Sequence, residues 1–165
     1  MVESAEVLEL AAVLIEPDGL VTSEFSMLVK TQSPVPADIT RLTGITQAEV
    51  DANGQPLTNA LEAFLRHIGD RPIFFHNAPF DQAFLSAACA KTKLSLKNPV
   101  HDTLPLARHA WPSLGKYKLA TLAQHVGAKV PNHRALGDAR VTLAVLLAIR
   151  DSVEAVEKPP PPSLP

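Results

Sequence analysis

Apolar positions change their spacing several times along the chain, and each change marks an element. Residues 7–15 are almost continuously apolar, broken only by Glu9, a length that predicts a strand buried on both faces. Glu16-Pro17-Asp18-Gly19 is a turn signal. Phe25, Met27 and Val29 then alternate with Glu24, Ser26 and Lys30, the period of a half-buried strand, so the chain opens with a β-hairpin. Residues 33–46, with Pro34 and Pro36 near their start, predict a loop. Leu57, Leu61, Phe64, Leu65 and Ile68 recur at helical spacing and predict an amphipathic helix that Arg71-Pro72 ends. Residues 72–75 predict a short buried strand, followed by a helix through Phe84, Leu85 and Ala88. Residues 100–103 predict a second such strand-to-helix step, with helices over 104–111 and 119–126. A last helix is predicted over 138–153. There Val141, Leu143, Val145, Leu146, Leu147 and Ile149 make it apolar on most sides, which implies deep packing. A hairpin followed by alternating helices and strands predicts an α/β domain with a mixed sheet over residues 1–157. Residues 158–165, which end Pro-Pro-Pro-Pro-Ser-Leu-Pro, predict an extended, disordered tail.

Composition narrows the class. A chain of 165 residues suits one domain with one sizeable core, and 46% apolar with 19% charged residues is ordinary for a soluble protein. No run approaches the roughly 18 apolar residues that cross a bilayer, and no secretory signal is visible, which predicts a cytoplasmic protein without a membrane partner. Cys89 is the only cysteine, which excludes an internal disulfide and suits a buried structural thiol in a reducing compartment. A formal net charge of −2 argues against a surface that coats duplex nucleic acid. It leaves room for a small site that grips a few nucleotides.

Two acids stand where chemistry could occur. Asp81 follows a short strand, and Asp138 opens the last helix with His133 five residues before it. The plain reading makes each aspartate a helix N-cap, and makes loop histidines such as His67, His109 and His125 solvated side chains. The functional reading brings the acids together at the edge where strand ends converge. Two carboxylates meeting there repel unless a divalent cation lies between them, and hard oxygen ligands suit Mg²⁺ or Mn²⁺. An imidazole beside them could take a proton from an attacking water, an arrangement suited to phosphodiester hydrolysis with two metals. No Gly-x-Ser-x-Gly elbow, Walker-type loop, HExxH or CxxC pattern supports another scheme.

His76-Asn77-Ala78-Pro79-Phe80-Asp81-Gln82-Ala83-Phe84-Leu85 resembles the second motif, HNAxFDxxFL, of the DEDDh 3′–5′ exonucleases. His133 to Asp138 resembles their third motif, HxxxxD. Residues 42–46 resemble the TGIT loop, 102–108 the DTLxLAR segment, and 118–122 the short helix before motif three. These segments keep the family's order and spacing over about 150 residues, close to the proofreading (epsilon) subunit of bacterial DNA polymerase III and to RNase T-like nucleases.

The resemblance implies a ribonuclease H-like fold and removal of 3′-terminal nucleotides as 5′-monophosphates with two divalent cations, Mg²⁺ or Mn²⁺. It implies Asp138 as a metal ligand, Asp81 as support for the second metal, His133 as general base and Asn77 as a weaker substrate contact. Phe80 and Phe84 are expected to pack the core. Implied partners are single-stranded DNA or RNA 3′ ends and a polymerase subunit. The family's first motif, DxETxG, is not found ahead of residue 7, so the central first strand of the sheet is expected to be absent. Three explanations follow: a start codon assigned downstream of the motif, a catalytically inactive module that binds nucleic-acid ends or a polymerase, or a homodimer that donates the strand.

Overall fold

The computed structural model describes residues 6–157, so the proline-rich tail lies outside the described residues. The hairpin forms as its pattern predicts. Strand β1 (Glu9–Ile15) pairs antiparallel with β2 (Val21–Leu28), with Glu9 opposite Leu28 and Val13 opposite Glu24. The Asp18 carboxylate accepts from Leu20 N at 2.9 Å and closes the turn. Two short helices follow, α1 (Ala37–Thr43) and α2 (Gln47–Asn53). Next come α3 (Leu57–Ile68), β3 (Ile73–Phe75), α4 (Ala78–Thr92), β4 (Val100–Asp102), α5 (Thr103–Ala110), α6 (Leu119–Val126) and α7 (Ala135–Glu157). No helix among the described residues is long and apolar enough to cross a membrane.

Helices α1 and α2 replace the predicted loop. The stretch hides its helical character because α1 buries no residue and Pro36 at its N-cap offers no side-chain hydrogen bond. Gly44 closes α1 in the left-handed conformation (φ 77°), which glycine adopts without steric cost. Thr46 caps α2 by accepting from Glu49 N at 3.1 Å.

The mixed strand directions expected are present, in two separate pairs: β1 with β2, antiparallel, and β3 with β4, parallel. Among the described residues no strand lies between β1 and β3. A groove of about 990 Å³ occupies that position, walled by β1 on one side and β3 on the other. The core divides accordingly. Leu10, Leu61, Phe64, Ile68 and Leu85 pack β1 against α3 and α4. Ala107, Leu122, Val141, Val145 and Ile149 pack α5 and α6 against α7. β1 is therefore not buried on both faces as its run of apolar residues suggests; only Leu10 and Leu14 are buried. Likewise α7 buries Val141, Val145 and Ile149, while Leu143 and Leu146 stay half-buried along the groove.

Candidate active site

Asp81 reaches the groove from the first turn of α4. That helix starts at Asn77, whose backbone is left-handed (φ 64°), a conformation asparagine tolerates better than most residues. The Asn77 amide donates to Asp102 Oδ1 at 2.9 Å, and the same oxygen accepts from Leu104 N at 2.9 Å. Asp102 thus caps α5 and fixes the entry to α4 at once. His76, next to Asn77, is structural: its Nε2 donates to the Tyr117 carbonyl at 2.8 Å, leaving Nδ1 to accept from the buried Thr103 hydroxyl at 2.9 Å.

Asp138 lies in the first turn of α7, with its amide donating to the Arg134 carbonyl at 2.9 Å. Neither Asp81 nor Asp138 is the N-cap that sequence position suggests, because each helix begins about a turn before its acid. The turn ahead of α7 is held from two sides. Asn132 Oδ1 accepts from Arg134 N at 3.1 Å, and His133 between them takes a left-handed backbone (φ 59°). A Cβ on Gly137 would lie 2.2 Å from that Asn132 oxygen, so glycine permits the approach of turn and helix. On the other side, Glu9 of β1 accepts from Arg134 Nε at 3.2 Å, Arg134 Nη2 at 3.1 Å and Ala135 N at 3.0 Å. The Glu9 side chain is 7% exposed and that of Arg134 32%, so the carboxylate is removed from water while the guanidinium stays partly solvated. Glu49 of α2 stands 3.7 Å from Arg134 and extends the network.

Asp81, His133 and Asp138 line the same groove. Burial, followed by the carboxylates of Asp102 and Asp138, pushes Asp81 up to about 6. Burial also raises Asp138, with His133 opposing the rise and Glu9 adding to it. Asp138 Oδ1 is buried without a hydrogen-bond partner. Such an orphaned oxygen costs roughly 1–3 kcal/mol or more, and a cation would satisfy it. Among the described residues no group of three His, Cys, Asp or Glu side chains could hold a metal ion. The orphaned Asp138 oxygen and the Asp81 carboxylate are hard oxygen donors of the kind that suit Mg²⁺.

Asn77 lies apart from the acids, in an adjoining cavity of about 700 Å³ that shares His76, Phe80, Leu119 and His133 with the groove. Phe80 corrects its expectation: it is 61% exposed, its ring 5.0 Å from that of Phe84, because the first turn of α4 points it over the cavity mouth and not inward. His67 is half-buried and not free in solvent, whereas His125 is exposed as expected. His67 Nε2 lies 3.2 Å from Ser23 Oγ, and His125 meets the Trp111 ring at 4.8 Å. Sequence reasoning missed Asp102 and Glu9 as site organisers. Asp102 repeats the strand-then-acid pattern of Asp81, and that was the available signal; Glu9 stood out only as the single charge in an apolar run.

The RNase T family, described as Exonuclease, matches residues 2–146. The subunit epsilon of DNA polymerase III from Aquifex aeolicus is 36% identical over 155 residues, 92% of this chain and 75% of that protein. The chain belongs to the DEDDh 3′–5′ exonuclease family. The PolC-type DNA polymerase III of Clostridium perfringens is 40% identical over 143 residues, covering 86% of this chain; this family member spans about a tenth (10%) of that polymerase's length. Among solved structures, exonuclease X in complex with 5′-overhanging duplex DNA is 26% identical with a TM-score of 0.70, covering 90% of this chain and 84% of that one. Exonuclease I of E. coli with a dA16 oligonucleotide, 18% identical, matches at a TM-score of 0.76 over 93% of this chain and 38% of that one, a likeness of fold alone. The ribonuclease H-like α/β fold of the family is thus present, with its exonuclease relatives.

Proposed function

We propose that this chain is a 3′–5′ exonuclease that hydrolyses phosphodiester bonds at single-stranded nucleic-acid 3′ ends and releases 5′-mononucleotides. The observation that carries the reading is the convergence of Asp81, His133 and the unpartnered Asp138 Oδ1 on one groove. Asp81 and Asp138 would hold the divalent cations, two of them in the family's scheme, Mg²⁺ or Mn²⁺. When bound, such ions neutralise phosphate charge and make a ligated water more acidic. His133 takes the proton from the attacking water. Oxygen bonds to the terminal phosphorus, the P–O3′ bond breaks, and the departing O3′ gains a proton to become the new 3′ hydroxyl. Asn77, exposed beside the site, contacts the substrate strand. A polymerase subunit is the proposed protein partner, from the likeness to subunit epsilon.

The test is hydrolysis of a 5′-labelled single-stranded oligonucleotide with Mn²⁺ or Mg²⁺. The wild-type chain should give a shortening ladder that Asp138→Ala abolishes. Intact substrate from folded protein would refute turnover and favour a second reading, an end-binding module. That second reading rests on the ligands: among the described residues no group of three or more His, Cys, Asp or Glu side chains could hold a metal ion.

A further inference from the structure

The cavity that adjoins the acid groove has a different chemistry. Arg108 of α5 and Lys116 and Lys118 of the segment between α5 and α6 line it, and none of its lining residues is acidic. All three cations are exposed, and among the described residues none forms an ion pair. Arg108 stands over the Tyr117 ring at 5.8 Å, so its side chain is held against the cavity wall. The Tyr117 carbonyl is tied to His76 and the Tyr117 hydroxyl donates to the Trp111 carbonyl at 2.7 Å, which fixes the segment carrying both lysines. In a chain of net charge −2, three unpaired cations around one acid-free cavity are a local concentration of positive charge.

The two cavities meet at Phe80 and His133. A strand with its terminal phosphodiester at Asp81 and Asp138 can continue in two directions. The groove between β1 and β3 is walled mostly by apolar side chains such as Ile73, Phe75, Leu143 and Leu146, and there, among the described residues, Arg71 is the one lysine or arginine, against the carboxylates of Glu6, Glu9 and Glu16. The cationic cavity offers three. We infer that Arg108, Lys116 and Lys118 form a binding track for the backbone phosphates that precede the 3′ terminus of a single-stranded nucleic acid. The inference deepens the exonuclease reading by assigning the path of the substrate, and it rests on that reading only for which end reaches the acids.

Binding measured without turnover separates the two. Fluorescence anisotropy of the whole chain with a labelled dT oligonucleotide in EDTA gives affinity as a function of salt. Replacing Lys116 and Lys118 together by alanine should weaken binding about tenfold at low salt, and should reduce the slope of log affinity against log salt by roughly 1.4, about 0.7 for each lost phosphate contact on a single strand. Lys97→Ala, which removes one charge from the exposed segment leading to β4, should change neither. The double variant should also weaken an rU oligonucleotide, because the contact is to phosphate and not to sugar. Unchanged affinity and slope in a double variant whose thermal melt matches wild type would overturn the inference, as would a loss confined to one sugar or no binding by wild type. Absence of hydrolysis in Mn²⁺ alongside this binding pattern would instead refute catalysis and leave the track standing.

Discussion

At Asp81, burial and two neighbouring carboxylates act in one direction. The folded chain keeps a proton there up to about 6, against 3.8 for the free side chain, so between those values the folded state binds more protons than the unfolded one. Stability is therefore highest at the acid end of that window, falls as pH rises through it, and is level above it. Asp81 is partly open to water, which screens the effect to about 1 kcal/mol. Asp81→Asn should accordingly raise the Tm of metal-free protein at pH 8 by roughly 2–4 °C and give no such gain at pH 4. Equal shifts at both pH values would show that packing, and not charge, sets the difference. The same variant should lose hydrolysis, so that site and stability pull apart at one residue. Asp138 carries a parallel tension in its orphaned oxygen, and both acids were legible in the sequence because each stands a few residues past an element boundary beside a histidine or asparagine. What position could not tell was their setting. The hydrogen bond from the Asn77 amide to Asp102 joins residues 25 apart, and no local pattern announces it.

Among the elements, α6 was legible to the residue, since Leu119, Leu122, Ala123 and Val126 repeat at helical spacing before Gly127. α7 begins at Ala135 and not at the predicted Asp138, because Glu9 accepts from Arg134 and from the Ala135 amide and so holds the turn ahead of that acid. That clamp joins β1 to the start of α7 across 125 residues of sequence. It fixes the helix that carries Asp138 and the turn that carries His133. Glu9→Gln keeps the shape and removes the charge, leaving Arg134 with Glu49 alone at 3.7 Å. The expected cost is about 2 kcal/mol, read as a lower midpoint in urea. Hydrolysis should fall further than the loss of folded protein accounts for, since the His133 turn loosens. A variant with wild-type stability and activity would show that the clamp is dispensable.

Over the whole molecule, the apolar runs predicted an α/β chain correctly but not how its strands associate. Residues 7–15 read as a strand buried on both sides, whereas β1 meets β2 along one edge and the groove along the other. In an antiparallel pair, alternate residues direct their backbone groups to the partner and the rest direct them away. Amide hydrogen exchange should therefore show protected and unprotected positions alternating along β1, with unprotected amides facing the groove. Uniform protection along β1 would mean that the groove is closed in solution.

The open edge of β1 also bears on how the chain behaves in a crowd. From Leu10 to Ile15 the strand carries no charge and no proline, the two devices by which proteins keep strand edges from recruiting one another. Copies brought together at high concentration, or newly made on the same messenger, present each other with a ready template for intermolecular pairing. Whatever covers that edge acts as a solubility factor as well as a part of the fold.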